Sequence, residues 1–260
     1  MKKLFLILGK RVLALLYLLG GLSYLASHTF YWLFIPPFKK ERIFEQCKKA
    51  GVDSFPIVSL VAFFIGVIMA LQTAYQMQRL GAEMYIASIV GLSMVRELGP
   101  VITALVVAGR VGASITAEIG SMQVTEQIDA LQTLATNPIK YLVVPRLLAL
   151  SIMEPLLTLY ANIIGIFGGY LICVYRLGVS SGMYRYITFS ALLYKDLFTG
   201  LFKALFFGMI IAFVSCYEGF NVEGGAEGVG KATARAVVTM FILIIAFDCL
   251  FTALFYFIFP

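Results

Sequence analysis

Charged side chains inside long apolar runs are the residues of this sequence most able to do chemistry. Arg96 and Glu97 are adjacent and come shortly before the apolar residues 101–108, while Glu154 and Asp248 each lie in apolar surroundings. An ionised group in a bilayer is costly unless it meets a partner, water or a polar ligand. We interpret Arg96 and Glu97 as lining a cavity for a charged lipid headgroup, or alternatively as a structural ion pair. Glu154 and Asp248 are interpreted as hydrogen-bonding groups between helices, with ligand contact as the alternative.

Catalytic and cofactor chemistry finds little support in the remaining residues. Residues 225–231, GAEGVGK, match the opening of a phosphate-binding loop, but Ala232 stands where Ser or Thr would bind magnesium, and an apolar run replaces the required strand. The single histidine, His28, allows no Ser-His-Asp set, and the four cysteines form no CxxC. We predict that the chain is not an enzyme, holds no metal or cofactor, and uses residues 225–231 as a turn that opens the last helix.

Composition places the chain in a membrane. Hydrophobic residues make up 61% of its 260 residues and charged residues 13%, about half of the ~25% typical of soluble domains. The net charge is +6, but Lys and Arg flank apolar runs, which indicates membrane orientation and no nucleic-acid partner. A bilayer admits only helices or closed barrels, and unbroken apolar runs favour helices. We therefore predict an all-α integral membrane protein.

The apolar runs predict five transmembrane helices, at about residues 55–77, 84–115, 147–174, 197–216 and 236–259. Asp53-Ser54 suits the N-cap of the first span. The second exceeds the ~20 residues that one span needs, and Gly99-Pro100 predicts a break in it. Residues 176–195 are expected to form an outer loop and residues 218–235 an inner loop.

The amino-terminal residues 4–35 are apolar but carry positive clusters at both ends. A crossing helix would put one cluster outside, which the positive-inside rule disfavours. We predict a helix in the cytoplasmic interface that ends at Pro36-Pro37, with a true span as the alternative. Residues 1–50 then form an interfacial helix and linker, and residues 51–260 form the main membrane domain.

A polar stretch, residues 116–142, separates the second and third spans. Its spacing predicts a cytoplasmic helix over residues 118–136, with Ile128, Leu131 and Leu134 along one apolar edge. Asn137-Pro138 is expected to stop this helix. A short rigid helix between two spans can receive force from a soluble partner.

The stretch from Glu97 to Arg146, ELGPVITALVVAGRVGASITAEIGSMQVTEQIDALQTLATNPIKYLVVPR, resembles the signature region of the MlaE family of ABC-transporter permeases, as does KATARAVV before the last span. The resemblance implies a bacterial inner-membrane permease that moves phospholipids between the inner and outer membranes and maintains outer-membrane lipid asymmetry. It also implies a homodimer bound to two cytoplasmic ABC ATPase subunits, which bind the ATP. A periplasmic MCE-domain ring and a small STAS-domain protein are the further partners it implies.

The same resemblance assigns roles to residues of the candidate sites. It implies that Arg96 and Glu97 lie near the lipid cavity, and we add Gln72 and Tyr75 of the first span because of their polarity. It also implies a coupling helix that docks in the ATPase and contains Glu126, Gln127, Ile128, Asp129, Ala130 and Leu131. The alternatives are a secondary transporter with Glu97, Glu154 or Asp248 as proton carriers, and a membrane scaffold without transport.

Overall fold

The computed structural model of the protein describes residues 2–36 and 40–258, and in these two ranges every regular element is helical. Eleven α-helices follow one another along these ranges: α1 Lys2–Leu33, α2 Lys40–Ala50, α3 Phe55–Arg79, α4 Tyr85–Ser93, α5 Gly99–Val107, α6 Ala113–Val124, α7 Gln127–Thr133, α8 Val144–Tyr175, α9 Ser181–Ala191, α10 Tyr194–Phe220 and α11 Gly225–Ile258. A short 3₁₀ turn, Val52–Ser54, precedes α3. Three π-helical turns, Met94–Leu98, Ala108–Gly112 and Ile139–Val143, join neighbouring helices.

Five helical stretches of the described chain are long and apolar enough to cross a membrane: Lys40–Arg79, Tyr85–Val124, Ile139–Tyr175, Tyr194–Phe220 and Gly225–Ile258. They are called spans one to five below. The predicted all-α membrane fold is therefore confirmed, and the protein is a multi-pass membrane protein with five candidate spans among the described residues. α3 begins at Phe55 as expected, although the Ser54 hydroxyl donates backward to Ala50 O at 2.7 Å and leaves the helix N-terminus uncapped.

The predicted break in span two at Gly99-Pro100 is wrong. The span stays helical because the π turn Met94–Leu98 precedes the proline, and Gly99 N–H bonds to Met94 O. A π turn carries one extra residue and widens the helix locally. Pro100 then sits in the first turn of α5, where a missing N–H donor does little harm.

Close helix contact through glycine holds the centre of the bundle together. α3 packs along α8, and a side chain at Gly66 would lie 1.8 Å from Gly165 O, far inside contact distance. A side chain at Gly168 would likewise meet Phe63 O at 2.5 Å. These glycines let the backbones of α3 and α8 touch, which is how helices in lipid gain packing energy.

Both loops predicted around span four are shorter than expected. The outer segment contains α9, which folds back onto α8 through buried Tyr184. On the inner side α10 extends to Phe220 and α11 begins at Gly225, so four residues connect them. Residues 225–231 are helical, with positive φ at Gly224 and Gly225 only. The turn that opens the last helix therefore lies at residues 221–224, and residues 225–231, predicted as that turn, are the start of α11.

The amino-terminal helix α1 packs at the end of the bundle that carries α7. The ring of Phe30 lies 6.0 Å from that of Phe213 on α10, and Lys140 Nζ donates to Pro36 O at 3.3 Å. Its interfacial orientation stays a prediction. Pro37, Lys39 and the expected end of span five at Phe259 lie outside the described residues, as do the side chains of Lys2, Lys3, Lys10 and Arg11.

Candidate functional site

Charged and polar side chains from three spans meet around one lysine, and we call this group of Glu97, Lys203, Asp248 and Thr252 the Lys203 cluster. The Lys203 ammonium donates to Glu97 Oε2 at 2.6 Å and to Asp248 Oδ1 at 2.9 Å. It also donates to Thr252 Oγ1 at 2.7 Å, and the Thr252 hydroxyl donates onward to Glu97 Oε1 at 3.1 Å. The cluster therefore ties span two to spans four and five.

Helix geometry explains why these groups converge. Asp248 and Thr252 are four residues apart on α11, so they lie on one face, which points at α10. Glu97 sits in the π turn of span two, which packs against α10. Asp248 was interpreted as a hydrogen-bonding group between helices, and its bond to Lys203 confirms this.

The cluster is closed on one side and open on the other. Lys203 is 1% exposed, whereas the side chain of Glu97 is 38% exposed. A buried ammonium group without an anion would be strongly destabilising, and two carboxylates and a hydroxyl supply its partners here. The open side presents carboxylate oxygens and a hydroxyl to whatever fills the space beside it.

Arg96 points away from its neighbour Glu97 and meets a different acid. Its guanidinium lies 3.6 Å from the carboxylate of Asp196, with the Arg96 side chain 46% exposed and Asp196 buried. Asp196 also accepts a hydrogen bond from Leu193 N–H at 3.0 Å and so caps α10. Arg96 and Glu97 thus do not form an ion pair with each other. The half-exposed guanidinium keeps donors free for an anionic ligand.

Gln72 and Tyr75 lie on α3 and are exposed, and neither takes part in the bonds of the Lys203 cluster. Tyr75 stays near its own helix end, where Arg79 donates to its hydroxyl and lies 4.5 Å over its ring. The structure of a single chain therefore does not bring these two residues together with Arg96 and Glu97. Their assignment to the cavity stays a prediction.

The most buried member of the cluster, Lys203, was missed from the sequence, as were Asp196 and Thr252. Lys203 stands in the run LFTGLFKALFFGMIIAFVSC of span four. The rule that singled out Arg96, a charge within an apolar run, applies equally to it. Asp196 and Thr252 gave no comparable signal, because one looks like a loop residue and threonine is common in membrane helices.

Glu154 does not form the helix-bridging hydrogen bond that the sequence suggested. It is 0% exposed, and neither carboxyl oxygen has a hydrogen-bond partner in the described part of the chain. Thr158 Oγ1 and Asn162 Oδ1 on the same face of α8, and Thr103 Oγ1 on α5, are also buried without partners there. We call these four residues the α8 polar row. They form a second polar region inside the membrane domain.

The inner polar element is shorter than predicted. α6 continues span two to Val124, Glu126 takes a left-handed backbone with φ 58°, and the helix α7 covers only Gln127–Thr133. Ile128 is buried and Leu131 packs beside it. A single helix over residues 118–136 is therefore wrong, because the chain must turn sharply at Glu126 to lay α7 across the bundle end.

Most of the predicted coupling residues face outward from this short helix. The exposed ones are Glu126, Gln127, Asp129 and Ala130. Leu134, expected on the buried edge, is 75% exposed. Asn137 begins the next helical stretch and does not stop α7, since its Oδ1 accepts from Ile139 N–H at 2.9 Å. The element presents an acidic surface with one protruding leucine.

Two arginines connect this inner end to the spans. Arg146, buried in α8, bonds to Glu118 at 3.0 Å, so Glu118 belongs to span two and not to the acidic surface of α7. Arg110 in the second π turn donates to Ser54 Oγ at 2.9 Å and to Lys49 O at 2.6 Å. Movement at the inner end is thus mechanically linked to spans one, two and three.

Comparison with known proteins gives these features a context. The family model described as Permease MlaE matches residues 43–254. A probable ABC transporter permease protein of Rickettsia bellii is 46% identical over 249 residues, which cover 96% of each chain. A probable ABC transporter permease protein of Synechocystis is 40% identical over 85% of this chain and 84% of its own.

A further relative has a more specific name. The intermembrane phospholipid transport system permease protein MlaE of Haemophilus influenzae is 36% identical over 211 residues, 81% of each chain. Residues 43–254, which the family model matches, include both π turns of span two, α7 and the whole Lys203 cluster. The family match over most of the chain and the high identity to several permeases show that this chain belongs to the MlaE permease family.

Proposed function

We propose that this protein is the permease subunit of an ATP-driven ABC transporter that moves phospholipids between the inner and outer membranes of a bacterium. The proposal rests on the Lys203 cluster, a set of charged groups that lies inside a membrane bundle and is open on one side. Half-exposed Arg96 supplies a cation for a headgroup phosphate. Aromatic side chains beside the cluster, including Phe202 and Phe251, offer an apolar surface for acyl chains.

The transport cavity requires a second copy of the chain. The outward face of α11 carries Val238, Ile242, Ile245 and Cys249 at helical spacing, and all are exposed. Such a face fits a symmetric contact between two copies, which would enclose the open side of the Lys203 cluster between spans one, two and five. A short bifunctional thiol-reactive reagent should crosslink two chains through Cys249, Cys249→Ser should remove this product, and adding Ile242→Cys to Cys249→Ser should restore a crosslink. Monomer at both positions would contradict this arrangement.

The cytoplasmic ABC ATPase is proposed to dock on α7 and to bind the ATP. Glu126 and Asp129 offer negative charge, and Leu134 offers an apolar anchor. Glu126→Lys should weaken lipid-stimulated ATP hydrolysis several-fold in the reconstituted complex. Glu223→Lys, a reversal on the other inner loop, should leave hydrolysis unchanged. Equal hydrolysis by wild type and Glu126→Lys would count against docking at α7.

The remaining partners follow from the family and from the chain's orientation. With α7 in the cytoplasm, Arg96 lies toward the periplasmic half, where a periplasmic MCE-domain protein would receive lipid. A STAS-domain subunit would join the ATPase on the opposite side. Location in the bacterial inner membrane is part of the same proposal. Affinity purification in mild detergent should recover these subunits, and recovery of the permease alone would argue for a different assembly.

Lipid transfer by the purified complex decides between this function and its rivals. Fluorescent phospholipid should move to acceptor vesicles only with ATP, and Arg96→Gln should slow transfer with assembly intact. A proton-coupled transporter would instead work without ATP under a pH gradient, with Glu97, Glu154 or Asp248 as carriers. A scaffold would show no transfer in either condition. The name of the Rickettsia bellii relative refers to an ABC transporter and that of the Haemophilus relative to intermembrane phospholipid transport, and together they support the ATP-driven alternative.

A further inference from the structure

A narrow apolar groove lies between α8 and α9, away from the Lys203 cluster. Its walls are Ile163, Ile166 and Phe167 from α8, Phe189 from α9 and Leu192, which directly follows α9. The volume of the groove is about 290 Å³. The Lys203 cluster belongs to span two, α10 and α11, so the groove is on different helices.

The groove is preformed, because α9 is fastened to α8 by polar contacts. The Tyr184 hydroxyl donates to Ile166 O at 3.2 Å, and its ring lies edge-on to Tyr170. The Tyr170 hydroxyl is 2.9 Å from Ser181 Oγ. Tyr184 is almost completely buried. A ligand entering this groove therefore meets fixed walls and loses less free energy to ordering them.

The groove lies in the outer half of the bilayer. Gly165 touches Gly66, the middle of α3, and so is near the centre of the membrane. From Gly165 to the end of α8 at Tyr175 the helix rises about 15 Å, half of a ~30 Å hydrocarbon core. Ile163 and Phe189 are 66% and 75% exposed, so the groove opens sideways toward the hydrocarbon.

Arg185 supplies a cation at this groove. It is exposed, and its Nε donates only a long 3.4 Å bond to Ser181 O on its own helix. No carboxylate of the described residues pairs with it. Arginine binds phosphate oxygens through two parallel N–H donors, and this interaction is strong where water is scarce. A ligand with an apolar chain and a phosphate satisfies both the walls and the arginine.

We propose that this groove binds a phospholipid of the outer leaflet of the inner membrane, with one acyl chain between α8 and α9 and its phosphate on Arg185. This lipid site is separate from the transport cavity. A transmembrane helix of a partner protein would fill the apolar walls but would bring no anion to Arg185. The charge on the rim therefore favours a lipid over a helix.

Photolabelling of the whole transporter complex in nanodiscs tests the site. The probe is a phospholipid with a diazirine in one acyl chain, and labelled peptides are identified by mass spectrometry. Peptides with Phe167 and Phe189 should be labelled, and Arg185→Gln should reduce this about tenfold through loss of charged hydrogen bonds. Lys195→Gln, which removes another exposed charge beyond α9, should change nothing. Diacylglycerol with the same diazirine chain should label wild type about as weakly as the phospholipid labels Arg185→Gln.

Two results would overturn the proposal. One is equal labelling of the groove in wild type and Arg185→Gln. The other is an unlabelled wild-type groove together with a crosslink from a photoreactive residue at Phe189 to another polypeptide. Labelling of the Phe202 peptide and ATP-driven transfer, measured in the same sample, report on the transport cavity. If the groove is not labelled but the Phe202 peptide is labelled and ATP-driven transfer is normal, the groove proposal is wrong and the proposed function is unaffected.

Discussion

Two polar regions inside the membrane domain differ in whether their charged groups have partners and in whether they can be reached from outside. In the Lys203 cluster one buried ammonium group has three partners, and the region is open on the side of Glu97. In the α8 polar row Glu154 is fully buried, and its carboxyl oxygens have no partner within the described chain. The first region can exchange a protein contact for a ligand contact, while the second is sealed from both lipid and solvent.

This difference separates ligand binding from structure. A charge that is compensated by neighbours and reachable from outside can respond to a headgroup, since new contacts replace old ones at small net cost. A sealed polar group has no protein contact that a ligand could replace, so it contributes to stability by filling space in the interior. We therefore expect substitutions in the Lys203 cluster to alter transport, and isosteric substitutions in the α8 polar row to leave it unchanged.

The largest effect is expected for Lys203→Met. Removing the ammonium leaves Glu97 and Asp248 together without a counter-charge, which should lower the free energy of unfolding by about 3 kcal/mol. Thermal unfolding in detergent measures this, with Lys195→Met at the exposed end of the same helix as the control. The triple variant Lys203→Met, Glu97→Gln, Asp248→Asn should regain most of the stability but not lipid transfer. Full transfer by the triple variant would refute a role for the cluster's charges.

Gly99→Ala should have the next largest effect. An added Cβ would lie 1.8 Å from Asn162 Oδ1 and 2.7 Å from Met94 O, so the Asn162 side chain and the backbone of the π turn must both shift. Overpacking of this kind costs about 1–3 kcal/mol. Gly230→Ala is the matched control, because a Cβ there meets nothing within 4 Å. If both variants unfold at the same temperature, the tight contact beside the α8 polar row is not needed for stability.

A smaller change is expected for Asp248→Asn. The amide oxygen can still accept from Lys203 Nζ, and Glu97 remains as the counter-charge at 2.6 Å. Loss of one charge-assisted bond should cost about 1 kcal/mol and slow ATP-driven transfer moderately. Comparison with Asp248→Leu, which removes the acceptor as well, measures how much of the effect belongs to hydrogen bonding. A larger loss in Asp248→Asn than in Asp248→Leu would contradict this account.

Glu154→Gln should have almost no effect. The two side chains have nearly the same shape, and substitutions that conserve volume are tolerated best in a packed interior. The unfolding midpoint and ATP-driven transfer should both match wild type. Glu154→Ala, which leaves a cavity, should unfold at a lower temperature. Loss of transfer in Glu154→Gln with normal stability would instead identify Glu154 as a proton carrier and revive the secondary-transporter alternative.

Sequence reasoning predicted the fold well and the sites unevenly. Hydropathy identified all five spans, because the bilayer requires about 20 apolar residues in each. It placed Gly99-Pro100 correctly as a special position but predicted a break, since a π turn leaves no sequence pattern of its own. Glu126 was predicted on the coupling helix but lies just before α7, and its left-handed backbone could not be foreseen for a residue that favours helices.

Composition and apolar run length alone determined that this is a helical membrane protein. A bilayer admits only helices or closed barrels, and unbroken apolar runs favour helices. The motif between Glu97 and Arg146 alone indicated its family. Only the tertiary structure decided which charges are partners: Lys203 with Glu97 and Asp248, Arg96 with Asp196, and Glu154 with none among residues 2–36 and 40–258. Pairing depends on the rotation and depth of each helix, and these arise from side-chain packing between segments up to 155 residues apart.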